Sequence, residues 1–174
     1  MKTALSKTRD TMLSAWQTSC RVTAHLIAHI PRPLWPAPVP GAPQRTIRTI
    51  ATHLHNSRCG WIRTLGQEHG IVVPARVDRL HATQRQVGAA LQRSERGIAA
   101  VLALGLANGG SVPPSRRYVW RNLALDVGHV LTYFVAHEAH HRGQLLLVLR
   151  QLGCEMPANL TGALWQWKPP KLHL

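Results

Sequence analysis

The stretch from Tyr133 to Gly143 reads YFVAHEAHHRG and carries three histidines and one of the chain's seven acidic residues. In a helix, residues four apart stand one turn apart on the same face. His137 and His141 have that spacing. Two imidazoles so placed can share one divalent metal ion, and the core of a helix bundle is a usual setting for such a site. The chemistry in prospect is metal activation of a thiol or a water.

On a wheel of roughly 100° per residue, His137 and His141 share a side with Leu123, Val130, Phe134, Leu145, Val148 and Leu152. Asp126, Tyr133 and Gln144 fall beside them, whereas Arg142 and Arg150 are expected to point away. A buried polar group without a partner costs about 1–3 kcal/mol. Five polar residues on one inward face therefore suggest a polar cavity with a purpose. A single core histidine is most often satisfied packing, but a pair at i and i+4 on the apolar face favours metal. Glu138, Tyr133 and His140 are the candidates for moving a proton or orienting a substrate, with Gln144 beside them.

Two histidines do not complete a site. His25 and His29 repeat the i, i+4 spacing, but on the side of the first helix away from Trp16 and Ile27, so they read as surface residues. His53 and His55 flank opposite shoulders of the second helix, and periodicity does not choose between them. His53 shares its side with Ser57 and Gly60, which are small enough to leave room for an ion. His69, His81, His129 and His173 carry no spacing signal.

Four amphipathic segments must position these residues. Apolar residues at helical spacing predict helices over about 4–30, 44–67, 83–107 and 121–152. Pro31 and Pro33 end the first, because proline lacks an N–H and restricts the residue before it. The run PRPLWPAPVPGAP, 31–43, is expected as an ordered surface loop anchored by Leu34 and Trp35. A second connector, 70–80, can hold a short extended piece. Asn108-Gly109-Gly110 supplies residues that tolerate the left-handed conformation of a C-cap. The tail holds TGALWQWKPPK, and its two tryptophans are expected to pack on the body. No strand pattern of convincing length is present. The expectation is an all-α four-helix bundle with long loops and a packed C-terminal tail, a single domain over 1–174 with its core at about 10–155.

The 174 residues suffice for a sizeable core, and 45% hydrophobic content excludes a mostly disordered chain. The net charge of +14 raises the possibility of a polyanion partner. The arginines, however, form no tract and do not alternate with aromatics, which argues against nucleic acid as the primary partner. Three widely spaced cysteines argue against a disulfide framework and for a reducing, cytoplasmic setting. Neither a signal peptide nor an apolar run of about 18 residues is evident, so no membrane partner is expected.

The segment HEAHHRGQLLLVLRQLG, His137 to Gly153, resembles the signature of the DinB/YfiT-like family: a histidine, three residues, a second histidine, then RGQ and an LR..G ending. THLHNSRCGW, 52–61, is similar to that family's second-helix motif, in His53, Asn56 and Trp61. The likeness covers most of residues 10–155 and leaves out the WQW tail. It implies a four-helix bundle, often dimeric, holding zinc, nickel or iron on three histidines. Carried over by position, these are His53, His137 and His141. The resemblance further implies a metal-dependent enzyme, a thiol-dependent S-transferase or a hydrolase, with a small-molecule substrate and a low-molecular-weight thiol. A non-catalytic metal-binding protein, acting in stability or stress response, is the alternative.

His137-Glu138-Ala139-His140-His141 also satisfies HExxH, the zinc-protease pattern with glutamate as general base. After Glu138 the only acid is Glu155, and no distal histidine extends the motif. The protease reading is correspondingly weak.

Overall fold

The computed structural model describes residues 2–119 and 121–167, without the side chains of 2–6 and 8. Four long helices make the body: α1 (Lys2–His29), α2 (Ile47–Leu65), α3 (Gln84–Ala107) and α4 (Val127–Gln151). A short α5 (Ala158–Ala163) follows. Among the described residues the fold is all-α apart from one small hairpin and an isolated bridge between Ser111 and Asp126. None of the described helices is long and apolar enough to cross a membrane.

The helix starts are set by local chemistry. Thr46 caps α2: its hydroxyl accepts the Thr49 N–H, and Thr49 Oγ1 accepts the Thr46 N–H in return. Thr83 and Gln86 form the same reciprocal box at α3. Such boxes satisfy donors that the first helical turn leaves orphaned. Asp126 caps α4 by accepting the His129 N–H, and its carboxylate also engages the His129 ring. Helix α4 therefore begins at Val127 and not near 121. Residues 121–126 instead return alongside 110–112, where the Val112 N–H meets Leu125 O and the Val127 N–H meets Gly110 O. Asp126 is exposed and spent on capping the helix start, and so is not one of the inward-facing polar groups that the wheel made it.

The proline-rich connector is ordered, as its anchors suggest. Trp35 is buried and its indole N–H donates to Ala82 O, 2.9 Å. The connector also contains two strands that periodicity did not show. β1 (Pro38–Val39) pairs antiparallel with β2 (Ala42–Thr46), turning through Gly41 at φ 76°. Strands this short have too few residues to display an alternation. Helix α2 consequently starts three residues later than the pattern of apolar residues indicated.

Two hydrophobic clusters fill the body. One joins Leu26, Ile27, Ile50, Leu54, Leu91, Leu145 and Leu149; the other joins Trp16, Ile62, Ile98, Leu102, Val130 and Phe134. Helices α2 and α3 approach closely at Gly97, where an added Cβ would stand 2.4 Å from Ile62 Cδ1. The tail docks through Leu164, which is buried, and through Gln166 O, which accepts from Arg21. Its tryptophans do not pack as expected: Trp165 is 82% exposed and Trp167 39% exposed. Lys168 and the residues after it, including His173, lie outside the described residues. The cysteines Cys20, Cys59 and Cys154 are all unpaired.

Candidate metal centre

Helix α2 presents His53 and helix α4 presents His137 and His141 to a common point. One nitrogen from each imidazole lies within 4.8 Å of the other two. The ring centroids are 5.4 Å apart for His53 and His137, 4.7 Å for His53 and His141, and 4.5 Å for His137 and His141. His141 is buried, His137 is half-buried and His53 is exposed. The cluster thus sits at the rim of the core, open on one side. The buried face of α4 explains this placement. It centres on Phe134, Glu138, Leu145 and Leu149, so His137 stands at its edge and not at its middle.

Hydrogen bonding selects the tautomer of His141. Gln144 Oε1 lies 2.8 Å from His141 Nδ1. The Arg45 guanidinium, which can only donate, contacts the same oxygen at 3.4 Å and so identifies it as the acceptor. His141 therefore carries its proton on Nδ1, leaving the Nε2 lone pair free. That Nε2 lies 3.2 Å from His137 Nε2. Two nitrogens bound at about 2.0–2.1 Å to a tetrahedral ion stand roughly 3.3 Å apart. Gln144 also donates from its amide nitrogen to His140 Nε2, 2.9 Å away.

The electrostatics favour neutral imidazoles, the form that binds metal. Burial, and then the neighbouring His141, push His137 from 6.5 down to about 4. Burial also lowers His141, against a smaller opposing effect of the Gln144 hydrogen bond. His53 is lowered by burial, then by His141, Arg79 and Arg45. The donor set, three neutral nitrogens with one tautomer fixed from behind, suits a divalent metal ion.

Around the cluster, Tyr133 lies nearly parallel to His137 at a centroid distance of 6.1 Å and an interplanar angle of 19°. Its hydroxyl accepts from the Trp61 indole N–H, 3.2 Å away. His140 is exposed at the edge of the site. Glu138 faces elsewhere. Its Oε1 accepts from Arg58 Nε at 3.0 Å, and its Oε2 meets Arg58 at 2.8 Å and the Thr23 hydroxyl at 2.6 Å. With 1% exposure and both oxygens engaged, this carboxylate is committed to α1 and α2. The HExxH lettering accordingly places no free general base beside the histidines.

Arg142 was expected to point away from the core, and it does not. It is 9% exposed and donates to the Thr23 hydroxyl at 2.9 Å and to Ser19. The wheel misassigned it because the true buried face extends past Glu138. Arg58 went unnoticed in the sequence. It is 1% exposed, paired with Glu138, and its guanidinium lies 4.9 Å from the Trp16 ring. The signal existed: Leu54, Arg58 and Ile62 are four apart, and the first and last are core residues.

His55, the rival of His53, is a satisfied core histidine. Its Nδ1 meets Ser94 Oγ at 3.0 Å and its Nε2 meets Ala75 O at 2.9 Å. On α1, His29 Nδ1 meets His25 O, and the two rings lie 4.4 Å apart with no third ligand beside them among the described residues. His81 and His129 pair locally with Asp78 and Asp126. Asn56 exchanges two 3.0 Å hydrogen bonds with the backbone of Val77. It therefore fastens the α2–α3 connector to α2, one turn from His53.

Comparison with curated proteins and with solved structures gives no match. A family model does match, over residues 1–170, with a three-histidine cluster and an all-α body beneath it; the chain belongs to the DinB family.

Proposed function

We propose that this protein is a metal-dependent enzyme that holds a divalent ion on His53, His137 and His141 and transfers or hydrolyses a group on a small molecule, with a low-molecular-weight thiol as the nucleophile in the transferase case. One observation supports this above the rest. Three neutral imidazoles from two helices converge at an edge open to solvent, and no carboxylate completes the set among the described residues. A divalent ion held there supplies a Lewis acid that makes a thiol or water more acidic and nucleophilic near neutral pH.

The chain's own residues have separable tasks. Gln144 fixes the His141 tautomer. Tyr133 braces the His137 ring and is itself held by Trp61. His140, exposed at the rim with its Nε2 accepting from Gln144, carries its hydrogen on Nδ1 and is assigned to orienting an incoming group. Glu138 holds α4 to α1 and α2. The non-catalytic alternative has no comparable support, because a purely structural ion is normally enclosed by four protein ligands.

Elemental analysis of the purified protein is expected to find one zinc, nickel or iron equivalent per chain. His137→Ala is expected to lose it while the helical circular-dichroism signal persists. Retention of stoichiometric metal in that variant defeats the site. A metal-replete protein inert towards a panel of thiol-transfer and hydrolysis substrates leaves only metal binding.

A further inference from the structure

A dication on three neutral imidazoles brings uncompensated positive charge. The nearest carboxylate on α4 is Glu138, and Arg58 and Thr23 occupy it. Two arginines lie on segments that adjoin the site. Arg45, on β2 just before the Thr46 cap, reaches Gln144 Oε1 at 3.4 Å. Arg79 lies on the connector from α2 to α3, and that connector is fastened on both sides of it. Asn56 binds the backbone of Val77, and Arg48 donates to Leu80 O. The two attachments run residue 79 of the connector alongside the stretch of α2, 48–56, that includes His53.

Both arginines are exposed. Neither makes an ion pair among the described residues. Asp78, next to Arg79 in sequence, is already engaged by the His81 ring and by the N–H groups of Leu80 and His81. Two unpaired cations beside a cation site oppose metal binding unless an anion joins them. Arginine is also the side chain best shaped to grip carboxylate or phosphate oxygens.

We propose that the open side of the histidine cluster is a subsite for an anionic group, a carboxylate or a phosphate, on the molecule that approaches the metal, and that Arg45 and Arg79 grip it. This rests on the metal reading given above and adds the charge class of the ligand. The ligand's reactive end lies at the histidines and its anionic end between β2 and the connector.

Cobalt(II)-loaded protein at low ionic strength tests this directly. Three probes share a metal-binding thiol: 3-mercaptopropionate, 2-mercaptoethylphosphonate and the uncharged 3-mercapto-1-propanol. The thiolate-to-cobalt absorption band reports each Kd. At least one anionic probe is expected to bind about tenfold or more tightly than the alcohol, the size of a charge-assisted hydrogen bond. Which of the two does so tells carboxylate from phosphate. In Arg45→Gln/Arg79→Gln that preference is expected to collapse to about one. Equal binding of all three probes by the wild type, or a preference that survives in the double variant, overturns the subsite and leaves the metal site standing. A protein that takes up no cobalt overturns the metal reading itself, and the subsite with it.

Discussion

At the scale of single residues, Gln144 has the most readable task. Its amide oxygen holds the Nδ1 proton of His141 and turns the Nε2 lone pair towards His137. Partners of this kind typically change metal affinity by about 10–100-fold when removed. Gln144→Leu is expected to weaken metal binding by that order, measured by competition with a chromophoric chelator, with little change in unfolding midpoint after metal is stripped. Unchanged affinity in the variant would remove Gln144 from the site. His137 carries a second expectation. Its pKa falls from 6.5 in the unfolded chain to about 4 in the folded one. Between those values the unfolded chain takes up a proton that the folded protein refuses. Stability is therefore full above pH 6.5 and declines as the pH falls towards 4. Urea unfolding of metal-free protein across this range is expected to show that decline, and His137→Asn is expected to flatten it.

Among the elements, α4 does two jobs with neighbouring residues. His137 and His141 face the cluster, while Glu138 and Arg142, each one position further along, reach into α1 and α2. The ion pair of Glu138 with Arg58 thereby fixes the rotation of α4 against the helix that carries His53. Burial pushes the Cys20 thiol beside this network well up, so it stays protonated at neutral pH. Breaking a buried ion pair by removing one partner typically costs about 3–5 kcal/mol, because the other charge stays buried. Glu138→Leu is expected to lose stability of that order in chemical denaturation. Glu138→Leu/Arg58→Met is expected to recover much of it, since the second change removes the stranded charge. If the double variant is as unstable as the single, the pair is not what the carboxylate supports. The α4 boundary belongs to this scale too. The apolar pattern ran back to 121, but Asp126 ends it by capping the turn that begins at Val127.

For the whole molecule, the histidine cluster ties α2 to α4 across the bundle. An ion bound there binds the folded chain only, and stabilises it by about 2.7 kcal/mol at a hundred times its Kd. Chelator treatment is expected to lower the Tm, and added metal to restore it in a concentration-dependent way. A Tm indifferent to chelator would argue that no ion is held. The charge of the molecule is also read differently at this scale. The excess of 21 basic over seven acidic residues left open a general attraction for polyanions. The fold buries Arg58 and Arg142 in the core, so part of the excess charge is internal.

The periodic apolar residues were enough to determine four long helices and the meeting of His137 with His141, because both depend on spacing within one helix. The capping residues were also present in the sequence, although only the structure showed which of them terminate a segment. The order of His53 over His55 is a different matter. Two residues apart on one helix, they differ only in what lies opposite. The wheel could not see that Ser94 and the Ala75 carbonyl satisfy His55, while the rim of α4 meets His53. The same holds for Glu138. Its letter in HExxH suggested a base, and its neighbours on α1 and α2 made it half of an ion pair. Contacts between helices depend on side chains far apart in the chain, and only the tertiary structure brings Arg58 to Glu138.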